Sequence, residues 1–328
     1  MNAKSKTKRV DLVRFKIFIF CLLVFCAGCK ANVEEEASNN SSAKPGLLSA
    51  IGSDDIYDVA FSGTDKCWAV GYWGGIFHTE NGGESWSRQN SKDIDKPFYG
   101  VCFIDEKNGW VVGSSGNILN TTDGGTNWQM QKSSVKETLF KVKFVDKNLG
   151  WAIGIWGTII HTEDGGKNWS KYSIDEDVTL YGLSFIDKKN GWIVGEFGTV
   201  LHTSNGGKNW IKQNTGMEKS LFAVYFSDAD NGCAVGIDGL VIITKNGGNT
   251  WQTGESATGE SLFDIAGNGA DIWAVGARGA MVESSDNGLT WGKVTSANTH
   301  SLLSGVALAD SCCWCVGTHG TVLKIALK

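Results

Sequence analysis

The stretch Thr162-Glu163-Asp164-Gly165-Gly166-Lys167-Asn168-Trp169 decides the fold, because the same phrase, T-x-D-x-G-x-x-W, returns along the whole chain. It recurs at 121–128 with Asp123 and at 284–291 with Asp286. With Asn in the acid's place it recurs at 79–86 (Asn81), 203–210 (Asn205) and 244–251 (Asn246). Each copy joins a short polar side chain able to bond backbone N–H groups, glycines that accept positive φ, and a large apolar ring. That combination predicts a tight turn between strands with its ring anchored in a core, so these six acids and amides are read as structural turn residues.

The spacing of the copies sets the architecture. The closing tryptophans stand at 86, 128, 169, 210, 251 and 291, which are 42, 41, 41, 41 and 40 residues apart. A second column opens another strand in each unit: Trp68, Trp110, Trp151, Trp192, Cys233, Trp273 and Trp314. Between the columns runs an alternating, strand-forming segment such as 139–145, then Gly-Trp-Ala-Ile-Gly at 150–154, then a G-x-x-G turn. Four short strands in about 41 residues make one propeller blade. Seven members in the second column predict an all-β, seven-bladed β-propeller of four-stranded blades over residues 47–328.

The seventh unit holds strands at 302–308, 313–317 and 320–327 but no turn phrase and no fourth strand. An open sheet edge there would be unstable and adhesive, so Leu47 to Ile51 are expected to supply the missing strand and close the ring.

Residues 1–28 read as a lipoprotein signal peptide. Six basic side chains precede an apolar run from Ile17 to Ala27, which is too short to span a bilayer. The end, Phe25-Cys26-Ala27-Gly28-Cys29, resembles a bacterial lipobox and makes Cys29 the expected lipidated residue, anchored rather than spanning. Residues 29–46 are small and polar, a flexible tether. The product is expected to be exported and held by its lipid on the cell envelope.

The full chain carries 30 basic and 35 acidic residues. Without the signal's six basic and one acidic side chain, 24 and 34 remain, a net charge near −10. An acidic chain with no basic cluster excludes nucleic acid and anionic lipid surfaces as main partners. Cys67, Cys102, Cys233, Cys312, Cys313 and Cys315 lie within the repeats, and Cys233 reads as an apolar filler in a tryptophan column. His78, His161 and His202 share one repeat position on separate blades and read as structural. No metal and no cofactor are expected.

The eight-residue phrase resembles the Asp box, or bacterial neuraminidase repeat. The longer unit, as in 180–210, resembles the repeat of the photosystem II stability/assembly factor family. That resemblance spans about residues 47–328 and implies a seven-bladed propeller, in cyanobacteria often lipid-anchored and without catalysis. It implies binding of newly made reaction-centre protein during assembly and repair. Carried to this chain, it implies a monomeric scaffold that docks a protein client, an assembly intermediate of a membrane-protein complex. The arginine-bearing surface patch of the photosynthetic family has no counterpart beyond Arg278 and scattered lysines.

The Asp box also raises a carbohydrate-active or carbohydrate-binding alternative. Sialidases clamp a carboxylate with three arginines, and past the signal this chain has two, Arg88 and Arg278, so that clamp is impossible. Other glycosidases need two carboxylates facing one sugar. Asp105, Asp146, Asp187 and Asp228 repeat from blade to blade and read as turn residues instead.

Twelve of the 14 tryptophans occupy the two columns, which leaves Trp73 and Trp156. Both take the third position of the G-x-x-G turn, which reads Trp73, Ser115, Trp156, Phe197, Asp238, Arg278 and His319 round the ring. Variable loops with exposed rings and a few charges make a binding surface. The expected partner-binding residues are Trp73 with its neighbour Tyr72, Trp156, Phe197, Asp238, Arg278 and His319. This face should lie opposite the Asp boxes.

Overall fold

The structure, a computed structural model, describes residues 46–48 and 51–327, apart from 64, 90–93, 175, 296–298 and 310. The expected signal, Cys29 and the tether up to residue 45 lie outside the described residues.

Seven four-stranded antiparallel sheets make the expected seven-bladed propeller. The third blade is representative, with strands Leu139–Phe144, Gly150–Gly154, Thr158–Thr162 and Ser170–Ser173 in simple meander order. The last sheet is completed by Gly46–Leu48, which pairs with Val322–Ala326 in the register Leu47↔Leu323. Closure by a strand from the start of the chain is therefore present. It begins one residue before the expected Leu47 and ends at Leu48, and Ile51 then donates its N–H to the carbonyl of Gly320.

The core consists of wedges between blades. Phe144 shows the pattern: Trp110 of the preceding blade stacks on it at 3.6 Å, while its own blade's Trp169 meets it edge-on at 5.8 Å. Trp68 on Phe103, Trp151 on Phe185 and Trp192 on Phe226 repeat the stack, each pair contributing about 0.5–1.5 kcal/mol beyond its buried area. The indoles of Trp110, Trp151 and Trp192 also donate to the carbonyls of Gly165, Gly206 and Gly247 in the next blade's Asp box. Gln131 adds a second clamp, donating to Gly165 and accepting from Trp169. Tyr172 stands in the equivalent place one blade on, and there the Trp210 indole N–H is left without a partner.

The wedge between blades five and six departs from this scheme. Cys233 replaces the tryptophan, Gly267 replaces the phenylalanine, and the ring of Tyr225 lies where a Gly267 side chain would begin. Its hydroxyl donates to the carbonyl of Gly269 at 3.3 Å. One large ring from the neighbouring position thus fills the space of two.

Candidate functional site

In the third blade, the strand Thr158–Thr162 runs from the turn carrying Trp156 to the box carrying Asp164. The G-x-x-G turns and the Asp boxes therefore sit at opposite ends of the sheets, as expected. At the box end, Asp164 Oδ1 accepts from Thr162 Oγ1 and from the N–H of Asn168, and Thr162 Oγ1 accepts from Gly166. Asp123, Asp286, Asn81, Asn205 and Asn246 hold their boxes in the same way. In the sixth box Asn287 takes the left-handed conformation that Gly165 takes in the third.

The opposite end is built by close approach. The first glycine of each G-x-x-G turn lies against the link entering its blade. A Cβ on Gly154 would fall 1.9 Å from the carbonyl oxygen of Thr138, and one on Gly71 would fall 2.2 Å from that of Asp55. The next residue bonds that same oxygen, Ile155 to Thr138 and Tyr72 to Asp55. Sewn to the link in this way, the turn forces its third residue into the left-handed region. All seven third residues have φ between 50° and 60°.

Four of the expected contact side chains are apolar and open to solvent: Trp73 is 55% exposed, Trp156 61%, Phe197 58% and Tyr72 40%. Tyr72 meets Trp73 edge-on at 4.9 Å, and Arg88 fixes the turn by donating to the Trp73 carbonyl. Two of the charged members already have partners, Asp238 pairing with Lys219 and Arg278 with Glu260, both at 3.2 Å, and the backbone N–H of His319 donates to Asp55.

Two rings of residues at the hub of this face were not singled out from the sequence. The second residue of every innermost strand sits at a β-bulge, as between Leu139 and Lys141, and a bulge re-aims its side chain. Six of the seven are aromatic: Tyr57, Tyr99, Phe140, Tyr181, Phe222 and Phe263. Neighbouring rings follow one another at 5.2, 5.3, 6.0, 5.3 and 5.5 Å, so they form an aromatic collar round the axis. The seventh position is Ser304, whose hydroxyl turns back to the carbonyl of Ile56.

One residue deeper, Lys141 reaches across the axis to Asp58 at 3.0 Å and Asp264 at 3.2 Å, tying blades three, one and six together. Asp58 also accepts the N–H groups of Val59 and Val101, and Asp264 accepts that of Val306. Burial alone would push the Lys141 ammonium down, but the two carboxylates outweigh it and hold it above its ordinary value. Burial, with Asp58's charge, pushes Asp264 up against the pull of Lys141. The hub therefore does hold two acids close together, but both are spent on one lysine and on backbone donors. The column that carries them, Asp58, Gly100, Lys141, Gly182, Ala223, Asp264 and Gly305, was the available signal: charges in the middle of an innermost strand, with small neighbours that leave room for them.

The remaining candidates stay apart. Asp105, Asp146, Asp187 and Asp228 accept backbone N–H groups two and three residues on, as turn residues do. The six cysteines are buried free thiols, and Cys233 is fully enclosed. His78 and His202 stack on Trp68 and Trp192. Among the described residues no three His, Cys, Asp or Glu side chains are arranged to hold a metal ion.

The family model for photosynthesis system II assembly factor YCF48 matches residues 39–129, 90–176, 126–216 and 210–300, which is most of the chain. The chain belongs to this family. Among solved structures, one described as YCF48 bound to D1 peptide superposes with a TM-score of 0.73 at 20% identity, covering 88% of this chain and 97% of the other. YCF48 from Cyanidioschyzon merolae gives 0.73 at 23%, covering 87% and 99%. Virginiamycin B lyase from Staphylococcus aureus gives 0.74 at 12%, covering 87% and 99%. At such identities the likeness shows the fold alone, and propellers of one shape serve different ends. No curated protein matches the sequence significantly.

Proposed function

We propose that this member of the YCF48 family is a non-enzymatic platform that docks a polypeptide client, an assembly intermediate of a membrane-protein complex, on the face bearing the G-x-x-G turns. It is exported and held to the cell envelope through lipidated Cys29. The observation that carries the reading is the trio Trp73, Trp156 and Phe197, large rings more than half exposed on rigid turns at one end of the sheets. Exposed aromatic side chains on a fixed frame are the usual anchors of protein interfaces. A YCF48 structure described with a bound D1 peptide supports a polypeptide as the class of partner. The pairing of both hub carboxylates with Lys141 weighs against glycosidase chemistry, which needs one carboxyl free to donate a proton and another free to accept one or attack.

The test compares the wild-type chain with the double variant Trp73→Ala/Trp156→Ala, both shown to be folded by their melting curves. A D1 peptide and detergent-solubilised membrane complexes serve as probes. Loss of one large interface anchor costs about 2 kcal/mol or more, so the double variant should bind at least thirtyfold more weakly. Equal binding by the two proteins rejects this face.

A further inference from the structure

Between the turns that carry Trp156 and Phe197 runs the link entering blade four, and both turns are bonded to it. Gly157, beside Trp156, donates its N–H to the carbonyl of Val178. Glu196, beside Phe197, donates its N–H to the Thr179 carbonyl at 3.0 Å and accepts the Thr179 N–H on its carboxylate at 2.7 Å. Asp177 precedes Val178 and is exposed, so the link presents a carboxylate to solvent between rings that are 61% and 58% exposed. The link entering blade five repeats the arrangement beyond Phe197. A Cβ on Gly198 would fall 2.1 Å from the carbonyl oxygen of Met217, and the next side chain, Glu218, is exposed.

From the turn of Trp156 to that of Asp238, the described residues at this end of the sheets carry five carboxylates, Glu176, Asp177, Glu196, Glu218 and Asp238, against two ammonium groups, Lys212 and Lys219. Lys212 is held by both oxygens of Glu176 at 2.8 and 2.6 Å, and Lys219 by Asp238 at 3.2 Å. Five against two leaves a net charge of −3, and the carboxylates at Asp177 and Glu218 lie where a partner reaches them. The link before Trp156 has no such excess, because Lys132 and Lys136 are exposed there and Glu137 is held by Lys171. The acidic field is therefore confined to the Phe197 side. A guanidinium suits rings set beside exposed carboxylates, since it stacks on a ring face and bonds a carboxylate through two parallel N–H groups. An acidic side chain is repelled by both, and a neutral one gains nothing from the carboxylates.

We propose that the arc from Trp156 through Asp177 and Phe197 to Glu218 seats an arginine-bearing stretch of the client polypeptide. The inference rests on the reading of this face as the client surface and adds the side-chain chemistry selected there. Guanidinium planes lie on Trp156 and Phe197, and their charge is met by Asp177 and Glu218.

Peptide binding read by fluorescence anisotropy provides the test. The full chain in detergent is titrated with a labelled, blocked Gly-Arg-Leu-Arg-Leu-Arg-Gly and with copies carrying Gln or Glu in place of every Arg. The arginine peptide should bind about tenfold more tightly than the Gln copy, the size of one ring contact and two exposed charge contacts together, and the Glu copy more weakly still. Asp177→Asn/Glu218→Gln removes the two exposed charges and should cut that preference to about threefold or less. Glu84→Gln/Glu163→Gln neutralises two exposed acids at the box end instead and should leave the preference at about tenfold. Equal or tighter binding of the Gln or Glu copy, or no measurable binding of the arginine peptide, overturns the arginine seat. So does a preference that survives Asp177→Asn/Glu218→Gln, or one that falls equally in both variants. In each of these cases the Trp73→Ala/Trp156→Ala comparison with the D1 peptide and membrane complexes still decides whether this face is the client surface, so the two readings fail separately. Melting curves check the fold of both variants, and the peptide series on the unaltered chain tests the charge selection without them.

Discussion

Replacing Lys141 with methionine removes the cation that joins three blades across the axis, and leaves Asp58 and Asp264 facing each other in a buried hub. Taking one partner from a buried ion pair costs about 3–5 kcal/mol. Here 26% of the Lys141 side chain is open, Asp58 keeps the N–H groups of Val59 and Val101, and Asp264 keeps that of Val306. The lower end, about 3 kcal/mol, is therefore expected, or a fall of roughly 6–9 °C in Tm for a chain of this size. The pH dependence separates this mechanism from lost packing. In the wild type the folded Lys141 holds its proton above its ordinary value of 10.5. Its stabilising contribution is thus complete below that value and is lost only as alkaline pH climbs through the folded one. In the variant the pull of Lys141 is gone while burial and Asp58's charge go on raising Asp264, so the fold takes up a proton before the unfolded chain does and gains stability as pH falls. Urea unfolding at pH 5, 6, 7 and 8 should show a deficit near 3 kcal/mol at pH 7 that shrinks towards pH 5. A deficit below about 1 kcal/mol at pH 7, or one that does not change over that range, refutes the argument.

Three further outcomes follow from the same coordinates. Deleting residues 47–52 removes most of the strand that pairs with Val322–Ala326 together with the Ile51–Gly320 bond, so calorimetry should show a markedly lower Tm; an unchanged Tm would contradict closure by this strand. Gly154→Ala places a methyl 1.9 Å from the Thr138 oxygen and should cost about 3 kcal/mol in chemical unfolding, the upper end for overpacking, whereas a neutral result would show that the link is free to move. Hydrogen bonds led by the side chains of Asn127, Asn168 and Asn231 hold Asp123, Asp164 and Asp228 below the usual 3.8. Their stabilisation is present above that value and is lost as pH falls through the folded ones, so replacing these three acids with Asn should flatten the fall of the unfolding midpoint below about pH 4 and leave its course above that unchanged.

The period of the sequence made the ring legible. A turn whose tryptophan must be buried can recur at 40 to 42 residues only if each unit buries it in the same way, and a last unit lacking its fourth strand can be completed only from the other end. The hub was not legible for the opposite reason. Lys141 is 83 residues from Asp58 and 123 from Asp264, and each falls in a different unit, so no local pattern links them. Reading across units at one strand position would have found both the triad and the collar above it. Cys233 shows the same limit on a smaller scale. Its role as a filler follows from the tryptophan column, but its dependence on Gly267 and on the swung ring of Tyr225 appears only when two blades face each other.

A left-handed conformation at a tryptophan or phenylalanine costs about 1 kcal/mol or more, and such strain often marks a functional site. At Trp73, Trp156 and Phe197 that inference would be misplaced. Ser115, Asp238, Arg278 and His319 adopt the same φ without offering a large apolar surface, and in all seven blades the strain has the same structural cause, a first glycine pressed on the incoming link. The backbone is therefore common to every blade, and only the side chain mounted on it is free to vary. Aromatic rings stand on blades one, three and four, while blades five and six carry charges already engaged by Lys219 and Glu260. The face is therefore asymmetric, with its large exposed rings on one side of the axis and its ion-paired charges on the other.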